Sequence, residues 1–283
     1  MLCFRLFSEN NPAAPLADAV AQLREGQVPK DLYAVEPASF QQIPNAPFAY
    51  WVGRRTNQIF EELPPVEDDD RRVRQGLATA DDFRFIRATW EAPSISFSLV
   101  EERQWFPFVK GGGYAPYYSD VPLRLNWANS GEELKAWIET LPGCTHWSRR
   151  IASSEFYFLP GLTWPLRGTR FSAQAVGRGA IFSIAGKFAT SSNQEELAYM
   201  HGAFNSGIFH ALMSTMAGQV GGAQYEAGLI SRVPIPSGER SWALLGANGL
   251  RAWSNKRRTD TATLTSHAFY APALAPGRKP TTR

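Results

Sequence analysis

Polar and apolar positions change rhythm along this chain, and each change marks an element. In PLADAVAQLREGQ (15–27), Leu16, Ala19, Val20 and Leu23 recur at helical spacing before Gly26, which predicts a short amphipathic helix with a glycine stop. IPNAPFAYWVGRRTNQIFEELPP (43–65) predicts a proline-kinked extended entry, then a helix from about Tyr50 that Pro64 ends. The charge run VEDDDRRVRQG (66–76) reads as a solvated loop or helix face. From Gly76 to about Phe188 the texture becomes β, in the runs SISFSLV, WFPFV, EFYFLPGLTW, RFSAQAV and AIFSIAG.

One helix interrupts those strands, SGEELKAWIETL (130–141), with Ser130 as N-cap and Glu132 and Glu133 where the helix dipole favours acids. NQEELAYMHGAFNSGIFHALMSTMAG (193–218) predicts one long helix with Leu197, Met200, Phe204, Ile208, Ala211 and Leu212 on a single face. After SRVPIP the periodicity fades, apart from the apolar piece SWALLGANGLRAW, into a Pro-, Gly- and basic-rich end that reads as frayed, as in a piece of a longer chain. The pattern predicts a mixed α+β fold. Residues 1–75 form a helical and extended lead-in, 76–236 a β-rich domain with interspersed helices, and 237–283 a C-terminal segment with a partly disordered basic tail.

Composition changes this picture little: 283 residues, 44% hydrophobic and 19% charged, are those of an ordinary globular protein. With a net charge of only +3, any basic face must come from clustering. Cys3 and Cys144 make neither a disulfide framework nor a zinc site, and read as unreactive thiols in a reducing cytoplasm. The amino terminus lacks the apolar stretch of a signal peptide and no window is long enough to span a bilayer, so a cytoplasmic protein without membrane contact is expected.

The chain carries no phosphate-binding loop, dinucleotide fingerprint or nucleophile elbow. His146, His201, His210 and His267 are scattered and read as structural, and the aspartates of EDDDRR as surface. What stands out is the interleaving of cations with aromatics in DDFRFIRATWE, WFPFVKGGGYAPYY, LRLNWANSG, HWSRRIASSEFYF and LTWPLRGTRFS. Arginine and lysine neutralise phosphates, while rings and amides stack on or read bases, so the combination suits a nucleic-acid surface. The competing reading is a β core whose strand ends carry snorkelling arginines. In WFPFVKGGGYAPYYSD (105–120) the triglycine is either a hairpin turn or bare backbone against a ligand, with Lys110 supplying charge.

The ordered series IPNAPFAYWVGRR, GLATADDFRFIRATWE, WFPFVKGGGYAPYYSD, LNWANSGEELKAW, SEFYFLPGLTW, RFSAQAVGRGAIF, LAYMHGAFNS and VPIP resembles the target-recognition region of BREX-type (PglX-like), Eco57I-like adenine-specific DNA methyltransferases, over about Phe4 to Ala273. The resemblance implies a sequence-specific duplex-DNA reading module of a phage-defence or restriction-modification system. It would work with an S-adenosylmethionine-dependent catalytic domain or subunit and with other defence-system proteins. It implies no cofactor in this chain, because the sole Asn-Pro, in ENNPAAP, is followed by Ala13 and Ala14 where a catalytic Asn-Pro-Pro-Tyr would be needed. A second departure is TADD (79–82), where that family has Thr-Gly-Asp-Asn: Ala80 tolerates positive φ poorly and Asp82 adds negative charge. The residues expected at DNA are Arg84, Arg87, Lys110, Gly111, Gly112, Tyr114, Asn126, Trp127, Arg149, Arg150, Arg167 and Arg170, with no catalytic or metal-binding residue. The alternatives are a non-catalytic remnant and an interaction scaffold within a defence complex.

Overall fold

Every position of GKFATS (186–191) is buried, as expected of an inner strand covered on both faces. The computed structural model, which describes residues 1–6, 11–92, 104–217, 224–236 and 239–271, contains both helices and sheets. Its strands are β1 (Leu2–Phe4), β2 (Leu32–Ala34), β3 (Arg71–Arg74), β4 (Ile86–Ala88), β5 (Trp105–Val109), β6 (Leu123–Asn126), β7 (Gly161–Pro165), β8 (Gln174–Val176), β9 (Ile181–Phe182) and β10 (Gly186–Ser191). The helices are α1 (Ala13–Arg24), α2 (Arg54–Glu62), α3 (Asp82–Phe85), α4 (Glu132–Glu139), α5 (Gln194–Phe204), α6 (Gly207–Ala217), α7 (Ala227–Ile230) and α8 (Glu239–Asp260).

The first large sheet runs β3-β10-β7-β8 and is antiparallel throughout. The second runs β4-β6-β5-β9, closed by the parallel pair β5 and β9. Strand alternation divides the first sheet between two cores. Leu162, Trp164 and Ala189 face a core shared with α5, α6 and α7, in which Phe171, Tyr199, Phe204, Phe209 and Tyr225 meet. Phe188 points the other way and stacks on Phe182 with centroids 4.3 Å apart, joining Phe106, Phe108, Leu125, Leu134 and Ile138 beneath the second sheet. Gly161 makes room for that ring, since a Cβ there would lie 2.2 Å from Phe188.

Several expectations from sequence meet corrections. The charge run is not all solvated: Arg71–Arg74 is an edge strand, and Arg71 is buried with its guanidinium on Glu196 (3.1 Å), Asp68 (2.6 Å) and the Val66 carbonyl (2.7 Å). The long helix at 193–218 is two helices, broken where the Asn205 amide donates to the carbonyls of Ala173 (2.9 Å) and His201 (3.0 Å). Ile208 therefore leaves the predicted apolar face and is exposed. Ser130 does not cap α4, because it sits at φ 57 and the cap is Gly131 at φ 78. Within the tail that loses periodicity, Glu239–Asp260 forms helix α8, laid on α5 through glycines: a Cβ on Gly202 would lie 2.2 Å from the Leu245 carbonyl oxygen. In EFYFLPGLTW the strand begins only at Gly161, after a 3-10 turn at Ser154–Phe156. α1 ends at the predicted Gly26 (φ 81), and α2 ends two residues before Pro64. SISFSLV (94–100) and the tail 272–283 lie outside the described residues.

Candidate nucleic-acid interface

The pairing register sets which side chains the second sheet turns outward. Ile86, Leu125 and Phe106 stand opposite one another and face the core. The other face carries Arg87 directly opposite Arg124, then Trp105 opposite Asn126. The facing pair gathers two cations on this side of the sheet. The Arg87 guanidinium lies 5.8 Å from the Trp105 ring centroid and donates to the carbonyls of Phe83 (2.5 Å) and Ile86 (2.8 Å). Among the described residues Arg87 has no carboxylate partner.

Arg84 and Asn126 are brought together by Glu133 on α4. One carboxylate oxygen accepts Arg84 Nε and Nη2 (3.1 and 2.9 Å), and the other accepts Asn126 Nδ2 (3.1 Å). The Arg84 guanidinium also lies over Trp137, so this arginine is positioned by the fold on two sides.

Just before Arg84, the turn TADD takes the shape its sequence resists. Ala80 has φ 59, in the region where an L-residue is strained, and Asp81 caps α3 by accepting the Arg84 N–H at 3.0 Å. Asp82 accepts from the Thr79 hydroxyl at 2.5 Å and forms an ion pair with Lys110. Lys110 is thus already neutralised, and partial burial lowers its pKa. It lines both a cleft of about 320 Å3, shared with Asp120, Thr163 and Gln174, and a wider one of about 500 Å3, shared with Phe83, Arg87 and Glu91.

The three glycines after Lys110 have different roles. Gly111, at φ 79, is pressed against the chain: a Cβ would lie 2.7 Å from the Ala185 carbonyl oxygen, and one on Gly186 would lie 2.6 Å from Gly111 N. Gly112 (φ 145) and Gly113 have nothing within 4 Å of an added Cβ. Tyr114 follows, exposed, with the Arg170 guanidinium 5.2 Å from its ring centroid.

The remaining expected residues lie elsewhere. Trp127 is 6% exposed, its ring covering Gly131 and meeting Tyr157 edge-on, so it belongs to the core and offers no face to a partner. Arg149 and Arg150 are exposed beside a separate cleft of about 290 Å3, where Arg149 donates to the Gly143 carbonyl at 3.1 Å. Arg167 is exposed and its backbone bridges Gln224. Of the histidines, His201 is buried, donates from Nε2 to the Tyr117 carbonyl (2.9 Å), and is pushed down to a pKa of about 4 by that burial. His210 lies on α6, so the two do not share a helix. Among the described residues no cluster could hold a metal, and no helix is long and apolar enough to cross a membrane.

No family model matches the chain. It is 24% identical over 206 residues, 67% of its length, to the adenine-specific methyltransferase PglX of Lacticaseibacillus casei (strain Zhang). It is 27% identical over 163 residues, 56% of its length, to the adenine-specific methyltransferase BrxX of Escherichia coli O9:H4 (strain HS). The chain is related to BREX-type adenine-specific methyltransferases. It spans only a small part of them, since the matched stretches cover 17% and 12% of those two proteins.

Sequence reasoning missed Glu133, Asp82 and Phe83. Glu133 was legible as a first-turn acid but not as the carboxylate that joins Arg84 to Asn126. Asp82 was read as added charge, without its partner Lys110. Phe83 lies in DDFRFIRATWE, where the cations and not this ring stand out; it is 91% exposed.

Proposed function

We propose that this chain is a duplex-DNA recognition module of an adenine-specific DNA methyltransferase system. In this reading the methyl transfer is done by an S-adenosylmethionine-dependent domain or subunit distinct from these residues, in phage defence. The observation that carries the reading is the outward pair Arg87 and Arg124 on adjacent strands, beside Trp105 and Asn126. Two guanidinium groups side by side have the chemistry of phosphate contacts, while the indole and amide have that of base contacts. The relationship to adenine-specific methyltransferases supports the same reading.

The test is fluorescence anisotropy of the full chain with a labelled mixed-sequence duplex between about 50 and 200 mM salt. Affinity falls steeply with salt, and Arg87→Ala weakens binding to all duplexes alike and lowers the logarithmic salt slope by about one unit. Absence of binding at the low-salt end sinks the proposal. Calorimetry with S-adenosylmethionine tests the division of labour: micromolar binding to this chain alone overturns it.

A further inference from the structure

Phe83 is the most exposed large apolar side chain described, at 91%, although it stands in the middle of a tightly fastened segment. Its helix is capped by Asp81, its neighbour Asp82 is tied to Thr79 and Lys110, and Arg84 is tied to Glu133. Its own carbonyl accepts the Arg87 guanidinium. A ring on a frayed loop could fold back onto apolar surface, but this one is held in water by polar contacts on both sides. The entropy of ordering the segment is already spent in the free protein, and this is what a pre-organised contact requires.

Phe83 also borders the wide cleft with Arg87 and Lys110. In that cleft Asp82 is paired with Lys110 and Glu91 accepts the Ala88 backbone N–H at 2.8 Å, and among the described residues no carboxylate pairs with Arg87. A bare ring beside a guanidinium that no described carboxylate pairs suits a partner with flat apolar faces strung on an anionic backbone. We infer that Phe83 is a stacking wedge that enters a DNA base step while Arg87 holds the adjacent phosphate. This inference rests on the duplex-binding reading above. Inserted apolar wedges partly unstack a step, and the cost is least where pairing is already weakened.

The experiment compares the full chain on a mixed-sequence duplex and on the same duplex with one central T·T mismatch. The wild type prefers the mismatched duplex. Phe83→Ala keeps its melting temperature and salt slope but loses roughly tenfold in affinity for the mismatched duplex and with it the preference, and Phe83→Trp restores both. Ile208→Ala, which removes another exposed apolar side chain, on α6, changes neither. Phe83→Ala binding both duplexes like the wild type overturns the wedge, as does a loss matched by Ile208→Ala. Altered self-association on sedimentation with unchanged DNA affinity also overturns it, in favour of a protein-facing ring. A wild type that binds neither duplex defeats the DNA reading itself, and is told apart by that.

Discussion

Substituting alanine in turn for the glycines of KGGG separates backbone geometry from partner contact, because the structure treats them differently. Gly111→Ala places an L-residue at φ 79, costing about 1–2 kcal/mol, and sets its methyl 2.7 Å from the Ala185 carbonyl oxygen. Little can give way, because Gly186 presses on the Gly111 nitrogen from the same strand start; adding an overpacking cost brings the total to about 2–4 kcal/mol. For a chain of this size that lowers the melting temperature by roughly 3–7 °C. Gly113 has neither positive φ nor a neighbour within 4 Å, so Gly113→Ala is neutral or stabilises by about 0.4–1 kcal/mol through the unfolded chain. Thermal melting followed by circular dichroism measures both, and anisotropy on one duplex then reads affinity in proteins that remain folded. If the loop backbone approaches DNA, Gly113→Ala weakens binding without loss of stability. A Gly111→Ala protein that melts within a degree of wild type, or a Gly113→Ala protein that melts well below it, refutes the geometric reasoning.

Asp82→Asn releases Lys110 from its ion pair, so duplex affinity at low salt rises and the salt slope steepens by about one unit; a weaker binder would show instead that Asp82 positions the site. Glu196→Ala strands Arg71 in the core without its buried carboxylate and costs about 3–5 kcal/mol by urea denaturation, with Asp68 keeping the loss toward the lower figure; less than about 1 kcal/mol would mean that water reaches the pair. His201 has its folded pKa lowered from 6.5 to about 4, so between those values the unfolded chain takes up a proton that the native protein refuses. Stability therefore falls as pH drops through that window, by up to roughly 3 kcal/mol, and His201→Gln flattens the dependence; identical pH profiles for the two proteins would exclude His201 as its source.

Elements with strong local signals were readable from sequence, and those decided by distant contacts were not. α1 and α4 follow from apolar spacing with a nearby glycine or acids, and β5 from its aromatic run. The α5 to α6 break was invisible, because Asn205 ends the helix only by reaching Ala173, far off in sequence. Helix α8 was hidden for another reason. Its contact with α5 sets Gly249 against Gly202 and Gly246 against Ala198, where closeness replaces bulk and leaves no apolar stripe to count. At the candidate site the cations could be named, but their states could not. Arg84 and Arg87 are close in sequence, yet Glu133 engages one and no described carboxylate engages the other, a difference set by where α4 lands. The backbone at Ala80 takes the positive φ (59) that alanine tolerates poorly, at the position where the resembled family has glycine.

The sheet β3-β10-β7-β8 presents Trp164 to one core and Phe188 to the other, and this limits how the protein can change over generations. A substitution inside that sheet meets a packed core whichever way its side chain faces, so its neutral neighbourhood in sequence space is small. The sheet β4-β6-β5-β9 is buried on its inner face, so Arg87, Arg124, Trp105 and Asn126 can be exchanged with little demand on the core. New surface chemistry can therefore be sampled there one residue at a time on an unchanged chassis, while the helical half drifts slowly.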